Sequence, residues 1–204
     1  PPELLRAGHY YRVMASTAAP GCVINTSDGG RCGLRMRCGG VPALARITGD
    51  PALINITAQL CEPDATGTIP GAERVLVEGP ESLPPPAPSA PTFEILPQTG
   101  MLCSCRHTTD GPVRLQVVGA KTDAGHGHED KGSLVLEAFG EELLIDRGTC
   151  FYGDARSDLL KKAWRHNLLT PDDAAGHPVA QVNPLPTAVI PQGRGDERTL
   201  RAEI

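Results

Sequence analysis

Hydrophobic positions along this chain change their period near Pro91. In residues 3–18, Leu4, Ala7, Tyr11, Met14, Ala15 and Ala18 recur at the three- and four-residue intervals of one helix face, and Pro20-Gly21 closes the run. Asp50-Pro51 offers an N-cap acceptor followed by proline at a first helical position, where no amide donor is needed, so a second helix is expected over about 51–62. The Gly- and Asp-rich stretch 25–31 reads as a loop between them. Residues 79–91 carry prolines too densely for regular helix or a central strand, because proline has no backbone N–H to donate.

After Pro91 the period becomes two. Residues 93–96, 101–105, 113–118, 133–138 and 142–146 alternate or run apolar between Gly, Asp and Pro breaks, which predicts short strands. Residues 133–146 should form a hairpin turning near Phe139-Gly140, and 154–164 a short helix. The expected class is α+β, in three parts: a helical segment 1–65, a Pro-rich connector 66–91, and an antiparallel, sandwich-like β-domain 92–204. The chain opens on Pro1-Pro2-Glu3 and closes on a strand-like 198–204, so it reads as a piece of a longer protein.

Composition narrows the function classes. Aromatic residues are 3% of the 204, too few for stacking platforms that grip single-stranded nucleic acid, and the net charge of -5 lacks the basic footprint of a nucleic-acid binder. No stretch of 18 apolar residues occurs, so no membrane span is expected. The seven cysteines are odd in number and include no CxxC pair. Cys103 and Cys105, two apart on a strand, are expected to be small buried apolar groups on one face.

The densest chemistry lies in Gly125-His126-Gly127-His128-Glu129-Asp130-Lys131-Gly132-Ser133. On an extended strand, residues two apart share a side, so His126 and His128 are expected on one face, with glycines leaving room for a ligand. Asp146 ends the second hairpin strand and His166 follows a short helix. Nitrogen and carboxylate donors of this kind suit zinc, so His128, Asp146 and His166 form a candidate ligand set, with ordinary buried or surface groups as the alternative. One of His126 and His128 could then ligate a metal while the other stays free for proton transfer. Tyr152, between Asp146 and His166, is a candidate to line the site. Glu129 and Asp130 either orient an imidazole or, the preferred reading, are solvated loop charges. His9, His107 and His177 lack such company. Arg106, Arg114 and Lys131 are further positions able to meet substrate charge.

The string from Gly125 through Gly148 resembles the heparinase II/III-like polysaccharide lyases, whose hallmark reads much like GHGHxDxGSxxLxAxGExLLxDxG. Tyr152 and Arg165-His166-Asn167 fall where that family has a tyrosine and its arginine and His-Asn element. The resemblance is specific over about 93–173. Upstream, Leu4–Leu60 is similar to the end of the family's helical toroid, including a Ser-Asp-Gly loop at 27–29. Leu168 stands in place of a usual threonine, Arg147 where proline is common, and Glu129 where alanine is frequent.

The resemblance implies the end of an (α/α) toroid joined to antiparallel β-layers, and β-elimination on a uronic-acid-containing acidic polysaccharide of heparan sulfate or alginate type. It implies His126 and Tyr152 as catalytic residues, one structural zinc on His128, Asp146 and His166, and Arg165 and Asn167 at the substrate. It also implies a periplasmic or secreted location, and further toroid residues preceding residue 1, so that this stretch is not expected to be active alone. Two rival readings stand beside it. One is a non-catalytic glycan-binding or structural β-domain. The other is a cupin-like metal enzyme, although Gly132 and Ser133 occupy the places where a cupin's glutamate belongs.

Overall fold

A computed structural model describes residues 2–26, 40–61, 85–86, 92–119, 127–151, 153–181, 192–195 and 200–203. Three helices, α1 (Pro2–Met14), α2 (Gly40–Thr48) and α3 (Pro51–Cys61), precede five strands: β1 (Thr92–Leu96), β2 (Met101–Thr108), β3 (Gly111–Val118), β4 (Ser133–Ala138) and β5 (Glu141–Leu144). A short helix α4 (Ala155–Leu160), a 3-10 turn (Ala163–Arg165) and a hairpin of β6 (Gln192–Gly195) and β7 (Leu200–Glu203) follow. The protein is α+β. The five strands form one antiparallel sheet in sequence order, so every neighbour is joined by a local connection. The expected connector 66–91 lies outside the described residues, except for 85–86.

The second helix begins as its sequence predicts: Asp50 Oδ1 accepts from Ala52 N at 2.9 Å, and Pro51 opens the helix. The first helix departs from expectation. It ends at Met14 rather than continuing to residue 18. Ala15 instead forms an antiparallel bridge with Val23, and Ser16 and Thr17 turn to the sheet, where their hydroxyls donate to the buried Glu137 carboxylate at 2.6 and 2.8 Å. These long-range bonds win over apolar periodicity that would have continued the helix. Helix α2 was not anticipated.

The helical core is built from α2 and α3: Val41, Leu44 and Ala45 meet Leu53, Ile54, Ile56 and Leu60. Each large aliphatic side chain buried here contributes about 1.5–3 kcal/mol. Helix α1 closes on this pair through Gly8, where an added Cβ would come within 3.0 Å of the Leu53 side chain, so a small residue permits the approach.

A second cluster joins helix to sheet. Val13, Met14 and Ile24 pack on Cys103 and Cys105 of β2. The pairing register puts Arg114 and Gln116 of β3 and Glu137 of β4 on the same helix-facing side as these cysteines. This layer is unusually polar. The buried Arg114 guanidinium donates to the carbonyls of Arg12 and Val13 at the C-terminal end of α1, and Glu94 receives Arg12 at 2.5 Å and His9 at 2.9 Å. Arg114 is thus engaged inside the fold, holding the end of α1. On the opposite side of the sheet, half-buried Phe93, Ile95, Leu115, Leu134 and Leu136 surround the fully buried Leu102 and Val117 to form a second, mainly apolar face.

Candidate metal centre

The hairpin that carries the site turns where its sequence predicts. Phe139 (φ 58°) and Gly140 (φ 83°) both adopt the left-handed conformation of a two-residue hairpin turn. Strand β5 ends at Leu144, so Asp146 lies two residues past it rather than on it. Its carbonyl accepts from Asn25 Nδ2 at 2.8 Å, and its Oδ1 accepts from Gly148 N at 2.7 Å. The main chain and one carboxylate oxygen are thereby fixed, while Oδ2 faces His166.

His128 does not stand on a strand. Residues 127–130 are irregular, and β4 begins only at Ser133. From His128 on, irregular chain and a tight turn replace the expected strand: Gly132 at φ 91° donates to Val118 O, and Ser133 N donates to Asp130 O at 2.9 Å. The buried Lys131 ammonium donates to the His128 carbonyl. Burial pulls this lysine below its ordinary pKa, and the nearby Asp130 only partly offsets the effect.

His166 arrives from the other side. Asp154 caps α4 by accepting from Arg156 N at 2.9 Å, and the chain then tightens into the 3-10 turn. His166 N donates to Ala163 O at 3.1 Å, which ends the turn with the imidazole facing inward. Next door, Asn167 Nδ2 donates to Leu134 O at 3.0 Å and Ile145 O at 2.9 Å. That one amide ties the His166 segment to β4 and to the residue before Asp146.

These three segments bring His128, Asp146 and His166 together, with one potential ligand atom from each lying within 4.8 Å of the others. The residues are 0%, 1% and 8% exposed. His166 Nδ1 is 3.0 Å from Asp146 Oδ2, and the two imidazoles are 5.4 Å apart and tilted by 51°. Burial disfavours the charged imidazole, but the Asp146 hydrogen bond and charge outweigh it and hold His166 above its ordinary pKa. Among the described residues, His166 Nε2 is buried with no hydrogen-bond partner. A buried polar atom left in this state costs about 1–3 kcal/mol, and an ion accepting its lone pair removes that cost. Two imidazoles and a carboxylate are a donor set zinc accepts, so the residues fit the metal.

His126 and Tyr152 lie outside the described residues. Arg165 is exposed on the 3-10 turn beside the cluster. Asn167 donates from its amide nitrogen to two main-chain carbonyls, so that group is structural. Glu129 and Asp130 overturn the solvated reading: they are 7% and 0% exposed. Glu129 holds the His166 approach, in line with the alternative that it orients an imidazole, and Asn25 holds Asp146, a role that sequence reasoning missed. The partners lie 32–34 and 121 residues away, and no local signal pointed to them. No protein-family model matches the chain, and no curated protein matches it.

Proposed function

We propose that this chain is part of a polysaccharide lyase that cleaves a uronic-acid-containing acidic polysaccharide by β-elimination, with α1–α3 as the end of a helical toroid and the sheet as one layer of a sandwich. One observation carries the reading: the three side chains that the heparinase-like motif nominates as metal ligands, separated by 18 and 20 residues in sequence, meet in one buried cluster. The apolar second face of the sheet supports a further covering layer.

Elimination on a uronate removes the C5 proton, forms the C4–C5 double bond and expels the C4 oxygen. The C5 proton is poorly acidic beside a charged carboxylate, so a donor must neutralise that carboxylate before a base takes the proton. A second group then protonates the departing oxygen. His126 and Tyr152 are the residues of this chain assigned to neutralisation and proton transfer. Exposed Arg165 is assigned to substrate charge. Zinc on His128, Asp146 and His166 supplies a structural brace, holding the loop that follows His126.

The test has two parts. Elemental analysis is expected to give about one zinc per chain, lost in His128→Ala and Asp146→Asn. In the full-length protein, His126→Ala is expected to abolish the ultraviolet absorbance of unsaturated uronate while leaving circular dichroism unchanged. Undiminished turnover in that variant removes His126 from the mechanism.

The 3.0 Å contact of His166 Nδ1 with Asp146 Oδ2 favours a second reading, in which a proton holds the pair together and the β-domain is structural or binds glycan without cleaving it. A folded wild-type protein free of metal after purification and zinc reconstitution selects that reading.

A further inference from the structure

The cluster is bridged from outside by a residue that neither ligates nor faces substrate in the reading above. Glu129 follows His128 directly. Its backbone N–H donates to Lys161 O at 2.8 Å, its Oε1 accepts from Lys162 Nζ at 2.9 Å, and its Oε2 accepts from Ala163 N at 3.1 Å. Lys161–Ala163 is the link between α4 and the 3-10 turn that delivers His166. One side chain thus ties the residue after one imidazole to the turn three residues before the other.

We infer that Glu129 is a positioning residue for the metal centre, fixing the separation of His128 and His166 by clamping their two segments together; this rests on the zinc reading of the cluster. A clamp of this kind matters because the two segments share no strand pairing. His128 precedes β4 in irregular chain, and His166 leaves a 3-10 turn. With the carboxylate removed, the Ala163 N–H loses its acceptor; the segments stay joined beyond the histidines by Asn167 to Ser133 and Leu134, but on the Glu129 side the main-chain bond to Lys161 is the hydrogen bond that remains among the described residues. The imidazole separation is then held from one side only, and a metal demands it within a few tenths of an ångström. The Lys162 arm is the lesser part. Its ammonium is 41% exposed, and a surface ion pair contributes little.

Zinc affinity, measured by competition with a chromophoric chelator, and the visible spectrum of the cobalt-substituted protein test this on the whole chain. Glu129→Ala is expected to weaken zinc binding about 10–100-fold and to alter the cobalt d–d bands. Glu129→Gln, which keeps an acceptor for Ala163 N, is expected to recover most of the affinity and the wild-type band shape. Lys162→Ala is expected to leave both unchanged. A structural role alone would lower Tm without moving the cobalt spectrum. An Ala variant with wild-type affinity and bands overturns the inference and leaves the zinc reading intact. A wild-type protein that takes up no metal overturns both. Should Glu129→Ala fail to fold, a Gln variant as impaired in affinity as His128→Ala is the overturning result.

Discussion

Cys103 shows how far a single side chain can be read from its neighbours in sequence. Two cysteines two apart in a period-two segment had to share a face, and both are buried against Val13, Met14 and Ile24. Burial pushes the Cys103 thiol up to about 11, so about a thousandth of it is thiolate at pH 8. In the native protein at that pH, alkylation followed by peptide mass mapping should label the half-buried Cys22 and Cys150 well before Cys103. Equal labelling rates would mean that the helices do not cover β2. The grouping of His128, Asp146 and His166 was legible for a similar reason, since residue type announces chemistry. The burial of Glu129 and Asp130 was not, because a loop is dry or wet according to what the chain lays over it, here Lys161–Ala163.

At the level of elements, strands were read more faithfully than helix ends. Alternation located all five strands of the sheet, and Phe139-Gly140 located the turn, because pairing and twist impose those patterns locally. Helix α2 carries a legible signal: Val41, Leu44 and Ala45 share a face, Pro42 sits in the first turn, and Gly49 at φ 64° ends it. The end of α1 had none, since it is set by Glu137, about 120 residues away. That carboxylate accepts from Ser16 Oγ, Thr17 N, Thr17 Oγ1 and Ala18 N at 2.6–3.3 Å. Glu137→Ala leaves these donors unsatisfied in a dry layer, at a cost of about 3 kcal/mol or more. A Tm lower by roughly 6–12 °C follows, at about 2–4 °C per kcal/mol. Differential scanning calorimetry checks it, and a shift under about 2 °C would show that water replaces the carboxylate there.

Over the whole molecule, two assemblies meet along one sheet. Helix α1 and the segment that follows it pack on one face through Arg114, Glu137 and the cysteine cluster, with α2 and α3 packed behind α1, whereas the candidate metal centre gathers the chain before β4, after β5 and after α4. Among the described residues, Asn25 Nδ2 on the Asp146 carbonyl joins the two. If zinc is bound, its free energy belongs to the second assembly, because binding the folded state stabilises only what unfolds with the site. Chelation should therefore act unevenly. Amide hydrogen exchange after treatment with a zinc chelator is expected to accelerate in residues 127–132, 145–150 and 161–168. Exchange in α1 and at Cys103–Cys105 should stay at its metal-loaded rate, because the bonds of Arg114 and Glu137 do not pass through the centre. A uniform acceleration across both regions would show one cooperative unit instead, with the Asn25 bond coupling the layers more tightly than its single contact suggests.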